Sequence, residues 1–259
     1  MEAVELTFEE FGSPDNSPLI ILHGFFASSR NWRQIAEKLS AKFHVYVLDM
    51  RNHGASPHHP VMNYPVMAED LLRFMESRGL KIANLLGHSM GGKVAMWFAL
   101  NHPDIVDHLI VADIAPVSYK HSFDSTIQAL KALPLAEISN RKQAEELLAS
   151  AIPELSYRQF LLQNLLLKNG EYCWRIDLDI FYQMAPNIVA FPATAHLEPF
   201  AGKTLVITGA DSSYVTVEDV GVLFPEASIS TIPNAGHWLH VQQPDVFTEL
   251  VEKFCTTQV

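Results

Sequence analysis

Gly87-His88-Ser89-Met90-Gly91 places a serine between two glycines, each two residues away. A serine hydroxyl is a weak nucleophile at neutral pH and attacks an acyl carbon only when a base takes its proton. On a sharp strand-to-helix turn the hydroxyl is exposed, but side chains two residues to either side would clash, and glycine removes them. The flanks fit such a turn. Ile82-Ala83-Asn84-Leu85-Leu86 reads as a buried strand, and Lys93 to Leu100 reads as a helix stopped by Asn101-His102-Pro103-Asp104. A helix N-terminus behind Ser89 favours developing negative charge.

The other parts of a nucleophilic serine site are sought elsewhere in the chain. His237, in Asn234-Ala235-Gly236-His237-Trp238, follows the last predicted strand and precedes the last predicted helix, so it is the first candidate base. His240 is the second candidate. His88 flanks the serine and is expected to point away from it. An acyl-transfer intermediate also needs two N–H donors for its oxyanion. Phe25, just past the strand end at His23-Gly24, and Met90, directly after the nucleophile, are the candidates. Two carboxylates compete to orient the imidazole. Asp113 lies at the carboxyl end of Leu109-Ile110-Val111-Ala112, and Asp211 lies in the turn Gly209-Ala210-Asp211-Ser212. Either choice keeps the chain order serine, acid, histidine.

These residues need a sheet to hold them at one edge. Short apolar runs predict strands over Val4 to Phe8, Leu19 to Leu22, Val45 to Leu48, Ala83 to Leu86, Leu109 to Ala112, Thr204 to Ile207 and Ser228 to Ile232. Helical spacing separates them at Asn31 to Leu39, Tyr64 to Ser77, Lys93 to Leu100 and Asp245 to Phe254. This alternation predicts an α/β fold with a mostly parallel, twisted sheet covered on both faces. Between Tyr119 and Phe200 no strand is evident. Leu147, Leu148, Phe160, Leu161, Leu165 and Leu166 have helical periods there, so 119–200 is expected to be a helical cap inserted before the penultimate strand. The core domain is then 1–118 with 201–259. The cap aromatics Phe123, Phe160, Tyr172, Trp174, Phe181 and Tyr182 are candidates for an acyl pocket, and helix packing accounts for each of them equally well. Trp174, Phe181 and Tyr182, with Trp238 beside His237, are carried forward as substrate-binding residues.

The chain has 259 residues, 48% of them hydrophobic, and a formal net charge of −11. Such a surface repels nucleic acid and anionic lipid. It also disfavours polyanionic coenzyme A thioesters, which ranks simple esters first. No apolar run is long enough to span a bilayer, and the acidic N-terminus does not resemble a signal peptide. Two cysteines suggest no disulfide framework, and the expected compartment is the cytoplasm. His58 and His59 are adjacent and therefore face different ways, and no metal-ligand spacing accompanies them. His53 is expected to organise its loop.

The stretches His23-Gly24-Phe25-Phe26, Gly87 to Gly92 and Asn234 to Trp238, in this order, resemble the α/β-hydrolase superfamily over nearly the whole chain. Arg51-Asn52-His53-Gly54, Met62-Asn63-Tyr64-Pro65 and Val111 to Tyr119 narrow the resemblance to the YbfF-type bacterial esterases and their mitochondrial relatives. It implies hydrolysis of small-to-medium carboxylic esters or thioesters, with no metal and no organic cofactor. The partner is then a small-molecule acyl ester, with no nucleic acid and no membrane, and the chain a monomer or homodimer. The acid of most of the superfamily would fall at the position of Ser212, whereas the resemblance to the narrower group favours Asp113. Alternatives on the same fold are carbon–carbon bond hydrolysis, cofactor-free haloperoxidase or lyase chemistry, and a non-catalytic ligand receptor. An aspartate nucleophile is absent, which removes the dehalogenase and epoxide hydrolase chemistries.

Overall fold

The computed structural model describes residues 2–256. Its strands are β1 (Phe8–Phe11), β2 (Ser17–Leu22), β3 (Phe43–Leu48), β4 (Ala83–His88), β5 (Val106–Ala112), β6 (Leu165–Lys168), β7 (Glu171–Trp174), β8 (Thr204–Gly209) and β9 (Ala227–Ile232). The helices are α1 (Arg33–Leu39), α2 (Tyr64–Ser77), α3 (Met90–Asn101), α4 (Asp124–Lys131), α5 (Arg141–Leu148), α6 (Leu155–Leu161), α7 (Leu178–Val189), α8 (Val217–Gly221), α9 (Leu239–Gln242) and α10 (Pro244–Thr256). One seven-stranded sheet runs β1-β3-β2-β4-β5-β8-β9. It is parallel except for β1, which pairs antiparallel with β3 at the edge. β1 begins at Phe8, where the sequence predicts a strand over Val4 to Phe8. Upstream, the Val4 N–H donates to the Asp70 carboxylate at 2.7 Å, a side-chain partner in place of a ladder.

The unbroken apolar runs of the parallel strands are needed because both faces are covered. Along each strand, side chains alternate between two cores. Leu19, Ile21, Leu86, Ile110 and Ile207 pack with Ile35 and Leu39 of α1 and Phe247 and Val251 of α10. Ile20, Leu22, Leu85, Leu109 and Val206 pack on the other face, with Leu71 of α2 and Val94 and Phe98 of α3. Register brings the strand ends level. His88 pairs with Ala112, the Ser89 N–H donates to the Ala112 carbonyl at 3.1 Å, and the Asp113 N–H donates to the Ile207 carbonyl at 2.8 Å. Ser89 and Asp113 thus leave adjacent strands at the same carboxyl edge.

The segment between β5 and β8 carries α4 to α7, and it also contains a strand pair. Leu165 and Leu166 lie in β6, opposite Cys173 and Trp174 of β7, and not in a helix. The turn explains the difference. Asn169 and Gly170 both have positive φ, 52° and 86°, the geometry of a two-residue hairpin turn. The segment is tied to the core through backbone carbonyls. The Lys93 Nζ of α3 donates to Val189 and Ala190 at the end of α7, each at 2.9 Å. Asn164 Nδ2 donates to the Phe26 carbonyl at 2.8 Å. Among the described residues, no helix is long and apolar enough to cross a membrane.

Candidate active site

Ser89 stands between β4 and α3 with φ 53° and ψ −118°, a conformation that side-chain-bearing residues rarely adopt. Close packing on both sides holds it there. A Cβ on Gly87 would meet the Gly91 carbonyl oxygen at 2.2 Å, and a Cβ on Gly91 would meet the Leu22 carbonyl oxygen at 2.2 Å. The two glycines therefore let the start of α3 press against the ends of β2 and β4. Met90 is the first residue of α3, so its N–H has no intrahelical acceptor.

The loop after β2 lies opposite. His23 is fully buried. Its Nδ1 donates to the Gly24 carbonyl at 2.8 Å and its Nε2 accepts the Met50 N–H at 3.0 Å. His53 is buried as well. Its Nδ1 donates to the Arg51 carbonyl and its Nε2 accepts the Phe26 N–H at 3.3 Å. Burial lowers the pKa of both rings, so each stays neutral with one donor and one acceptor nitrogen. Phe26 has a positive φ of 65°, and the Ala27 N–H returns to the Gly24 carbonyl. Among the described residues the Phe25 N–H, directly before Phe26, has no acceptor. His53 thus organises a loop, and that loop carries Phe25. Behind His53, Arg51 and Asp70 form a fully buried bidentate ion pair, both bonds 2.6 Å.

His237 is one-fifth exposed, and its Nδ1 lies 2.8 Å from Oδ2 of the fully buried Asp113. Oδ2 also accepts from Ser212 Oγ. Oδ1 accepts from Thr208 Oγ1 at 2.9 Å and the Gly209 N–H at 3.2 Å. Burial alone would raise the Asp113 carboxyl, but the bonds from His237, Ser212 and Gly209 outweigh it and hold it below the usual range. The carboxylate facing His237 is therefore the one at the end of β5. Asp211 is exposed in its turn, and Ser212 serves as a donor to Asp113. The turn's missing aspartate was the available signal for this serine.

Two histidines differ from their sequence reading. His88 does not point away. It lines the same cavity as Ser89 and its Nε2 donates to the backbone carbonyl of His237 at 2.8 Å. His240, the second candidate base, stacks on Trp32 at 4.1 Å with the planes 6° apart, and burial drives its pKa down to about 3. It has no route to Ser89's proton. The Tyr214 ring stacks on His237 at 4.4 Å, a contact the sequence did not signal.

Ser89, Met90, Phe25 and His237 line one cavity of about 390 Å³. Of the proposed substrate-binding residues, Trp238 lines it, as do Phe123 and Phe160 from the wider set of cap aromatics. Trp174, Phe181 and Tyr182 do not. Phe181 is fully buried and stacks on Phe25 from behind, at 4.6 Å and 12°. Trp174 is taken up by the hairpin, and Tyr182 is 39% exposed on the outer side of α7. Lys93 also reaches the cavity, as a buried amine with its Nζ 4.6 Å from the centre of the Tyr119 ring. Among the described residues, no group of three or more His, Cys, Asp and Glu side chains is placed to hold a metal ion.

A serine on a strained strand-to-helix turn, with a carboxylate at the adjacent strand end and a histidine on the loop after β9 of a mostly parallel sheet, defines a class. The chain belongs to the α/β-hydrolase fold family, whose family model matches residues 17–244. It is 39% identical over 247 residues to the sn-1-specific diacylglycerol lipase ABHD11 of Mus musculus, across 91% of this chain and 80% of that one. It is 34% identical to esterase YbfF of Escherichia coli strain K12, across 93% of each chain. Among solved structures, a marine microorganism esterase superposes with a TM-score of 0.93 at 42% identity, over 97% of this chain and 100% of that one.

Proposed function

We propose that this protein, a carboxylic ester hydrolase, works through an acyl-enzyme on Ser89. The observation that carries the reading is the line from Asp113 Oδ2 to His237 Nδ1 at 2.8 Å, which leaves Nε2 of a cavity-lining imidazole as the free base beside a cavity-lining serine. In the first half-reaction His237 Nε2 takes the Ser89 proton as Oγ attacks the acyl carbon. The carbonyl oxygen becomes an oxyanion between the N–H groups of Phe25 and Met90. The C–O bond then breaks and Nε2 gives its proton to the leaving alcohol. In the second half-reaction a water loses its proton to His237 Nε2 and attacks the acyl carbon; the bond to Ser89 Oγ then breaks, Nε2 returns the proton to Oγ, and the acid leaves. Asp113 keeps Nδ1 protonated and stabilises the imidazolium in both halves.

The aromatic lining around Phe123 and Phe160 suits a small-to-medium acyl chain. Short nitrophenyl esters test the reading. Ser89→Ala should lose on the order of 10⁶ in kcat, as removal of a triad serine does. An organophosphonate probe should label the wild-type chain at Ser89 and nowhere else. Activity near wild type in a folded Ser89→Ala variant refutes the mechanism, and binding of the ester without a burst of nitrophenol supports the receptor alternative.

A further inference from the structure

His88 stands directly before the nucleophile and has no part in the steps above. It ends β4, is 1% exposed, and packs among the rings of His237 and His240, each 4.7 Å away, and Trp238 at 5.5 Å. Its Nε2 lies 2.8 Å from the His237 carbonyl oxygen. A carbonyl only accepts, so Nε2 carries the hydrogen and Nδ1 of the neutral ring keeps a lone pair. Burial, with His237 and then His240 beside it, holds the His88 pKa well below its ordinary value. The ring therefore stays neutral next to the imidazolium that His237 becomes.

The base needs this partner because its own segment is loose. Asp113 holds the His237 ring at Nδ1, and Tyr214 stacks on the ring. Neither contact fixes the peptide that carries it. Gly236 comes just before, and a Cβ there would meet nothing closer than 3.9 Å. Among the described residues the His237 carbonyl has one hydrogen bond, the one from His88. That bond closes a circuit between nucleophile and base. One path runs from Ser89 through the peptide to His88 and across to the His237 carbonyl. The other runs from the Ser89 N–H to the Ala112 carbonyl, on to Asp113, and across to His237 Nδ1. The base is thus tied to the serine strand twice, once by its side chain and once by its main chain.

We propose that His88 is a positioning residue for the base: its Nε2–H fixes the His237 main chain against the end of β4, so that His237 Nε2 stays in line with the Ser89 hydroxyl in both half-reactions. This rests on the reading that His237 takes the Ser89 proton. The same ring has a second neighbour that a test must separate. A Cβ on Gly24 would lie 3.1 Å from His88 Nδ1, so His88 also supports the loop that carries Phe25.

The test compares His88→Met, which fills the space without a donor, with His88→Gln, whose amide nitrogen donates near the place of Nε2. On nitrophenyl butyrate His88→Met should lose about 100-fold in kcat with KM unchanged, the scale of a misplaced catalytic group, and His88→Gln should recover about tenfold of that. In a His237→Ala background the residual rate comes from the oxyanion hole and binding, so the effect of His88→Met should shrink to about twofold. Three results overturn the proposal: wild-type activity in His88→Met, equal losses in both variants, or the same loss of kcat without His237, which would assign His88 to the Phe25 loop. Nitrogen NMR spectra of the wild-type protein test it without any variant. His88 should keep its hydrogen on Nε2 at every pH at which the enzyme is active, and an Nδ1–H tautomer or a charged ring refutes the clamp. If His237→Ala alone keeps wild-type activity, the underlying reading of the base fails and the proposal with it, whatever His88→Met does.

Discussion

Asp113→Asn is the sharpest perturbation of the site, because the structure dictates which way the new amide must face. Oδ1 of Asp113 accepts the Gly209 N–H at 3.2 Å, a backbone group that can only donate. The amide oxygen of asparagine must therefore stay on that side, where it also keeps the Thr208 hydroxyl. Its NH₂ then occupies the place of Oδ2, 2.8 Å from His237 Nδ1. Two N–H donors cannot face each other, so the imidazole moves its proton to Nε2 and loses the lone pair that would take the Ser89 proton. The expected loss is about 10⁴ in kcat, or roughly 5.5 kcal/mol of barrier. Asp211 is exposed and faces no catalytic group. Asp211→Asn should therefore change stability by less than about 0.5 kcal/mol and the rate by about twofold. Both variants are compared with wild type on a nitrophenyl ester, with circular dichroism to show the fold intact. A loss of a thousandfold in Asp211→Asn, with Asp113→Asn within tenfold of wild type, refutes the assignment.

Other perturbations read other parts of the architecture. Gly91→Ala drives a Cβ to 2.2 Å from the Leu22 carbonyl, so the turn or β2 must shift; thermal unfolding should show a loss of about 1–3 kcal/mol, with esterase activity falling further. Phe181→Ala should cost about 3–5 kcal/mol of stability, because the ring is buried behind Phe25. Phe123→Ala, in the cavity wall, should instead move the preferred acyl length in a C2 to C12 ester series, and an unchanged preference would remove Phe123 from the acyl site. Burial brings the Lys93 pKa from 10.5 down to about 7. Between those values the unfolded chain holds a proton that the folded chain does not, so stability rises with pH across that window, by at most about 1.4 kcal/mol per unit. Lys93→Met should abolish that slope in urea unfolding curves recorded from pH 7 to 10.

The sequence exposes those parts of the molecule that local chemistry determines. Apolar runs such as Leu19 to Leu22 and Leu109 to Ala112 must be strands buried on both faces, and the glycines around Ser89 declare their turn. The position of Asp113 at a strand's carboxyl end follows from the same run. The hairpin of β6 and β7 escaped the sequence reading, although a local signal for it exists. Asn169-Gly170 between Leu165-Leu166-Leu167 and Tyr172-Cys173-Trp174 is a strong hairpin signal, hidden because a run of leucines fits a helix as readily as a strand. The acyl pocket was not legible in the same way. Whether Phe160 or Phe181 meets substrate depends on how α6 and α7 dock over the sheet, and nothing local to either residue encodes that.

Lys93 governs how the inserted segment can be redesigned. The amine leaves the nucleophile helix one turn beyond Ser89 and ends on the last carbonyls of α7, at the far end of the inserted segment. The insertion is therefore not a detachable module. Grafting another cap between β5 and β8 would leave the buried Lys93 amine without these acceptors, and removing the lysine first would leave the Ala190 carbonyl without its donor, whereas Val189 keeps the Tyr119 N–H. Neither change is neutral alone, so a chimera built from two relatives should carry position 93 with the cap and not with the core.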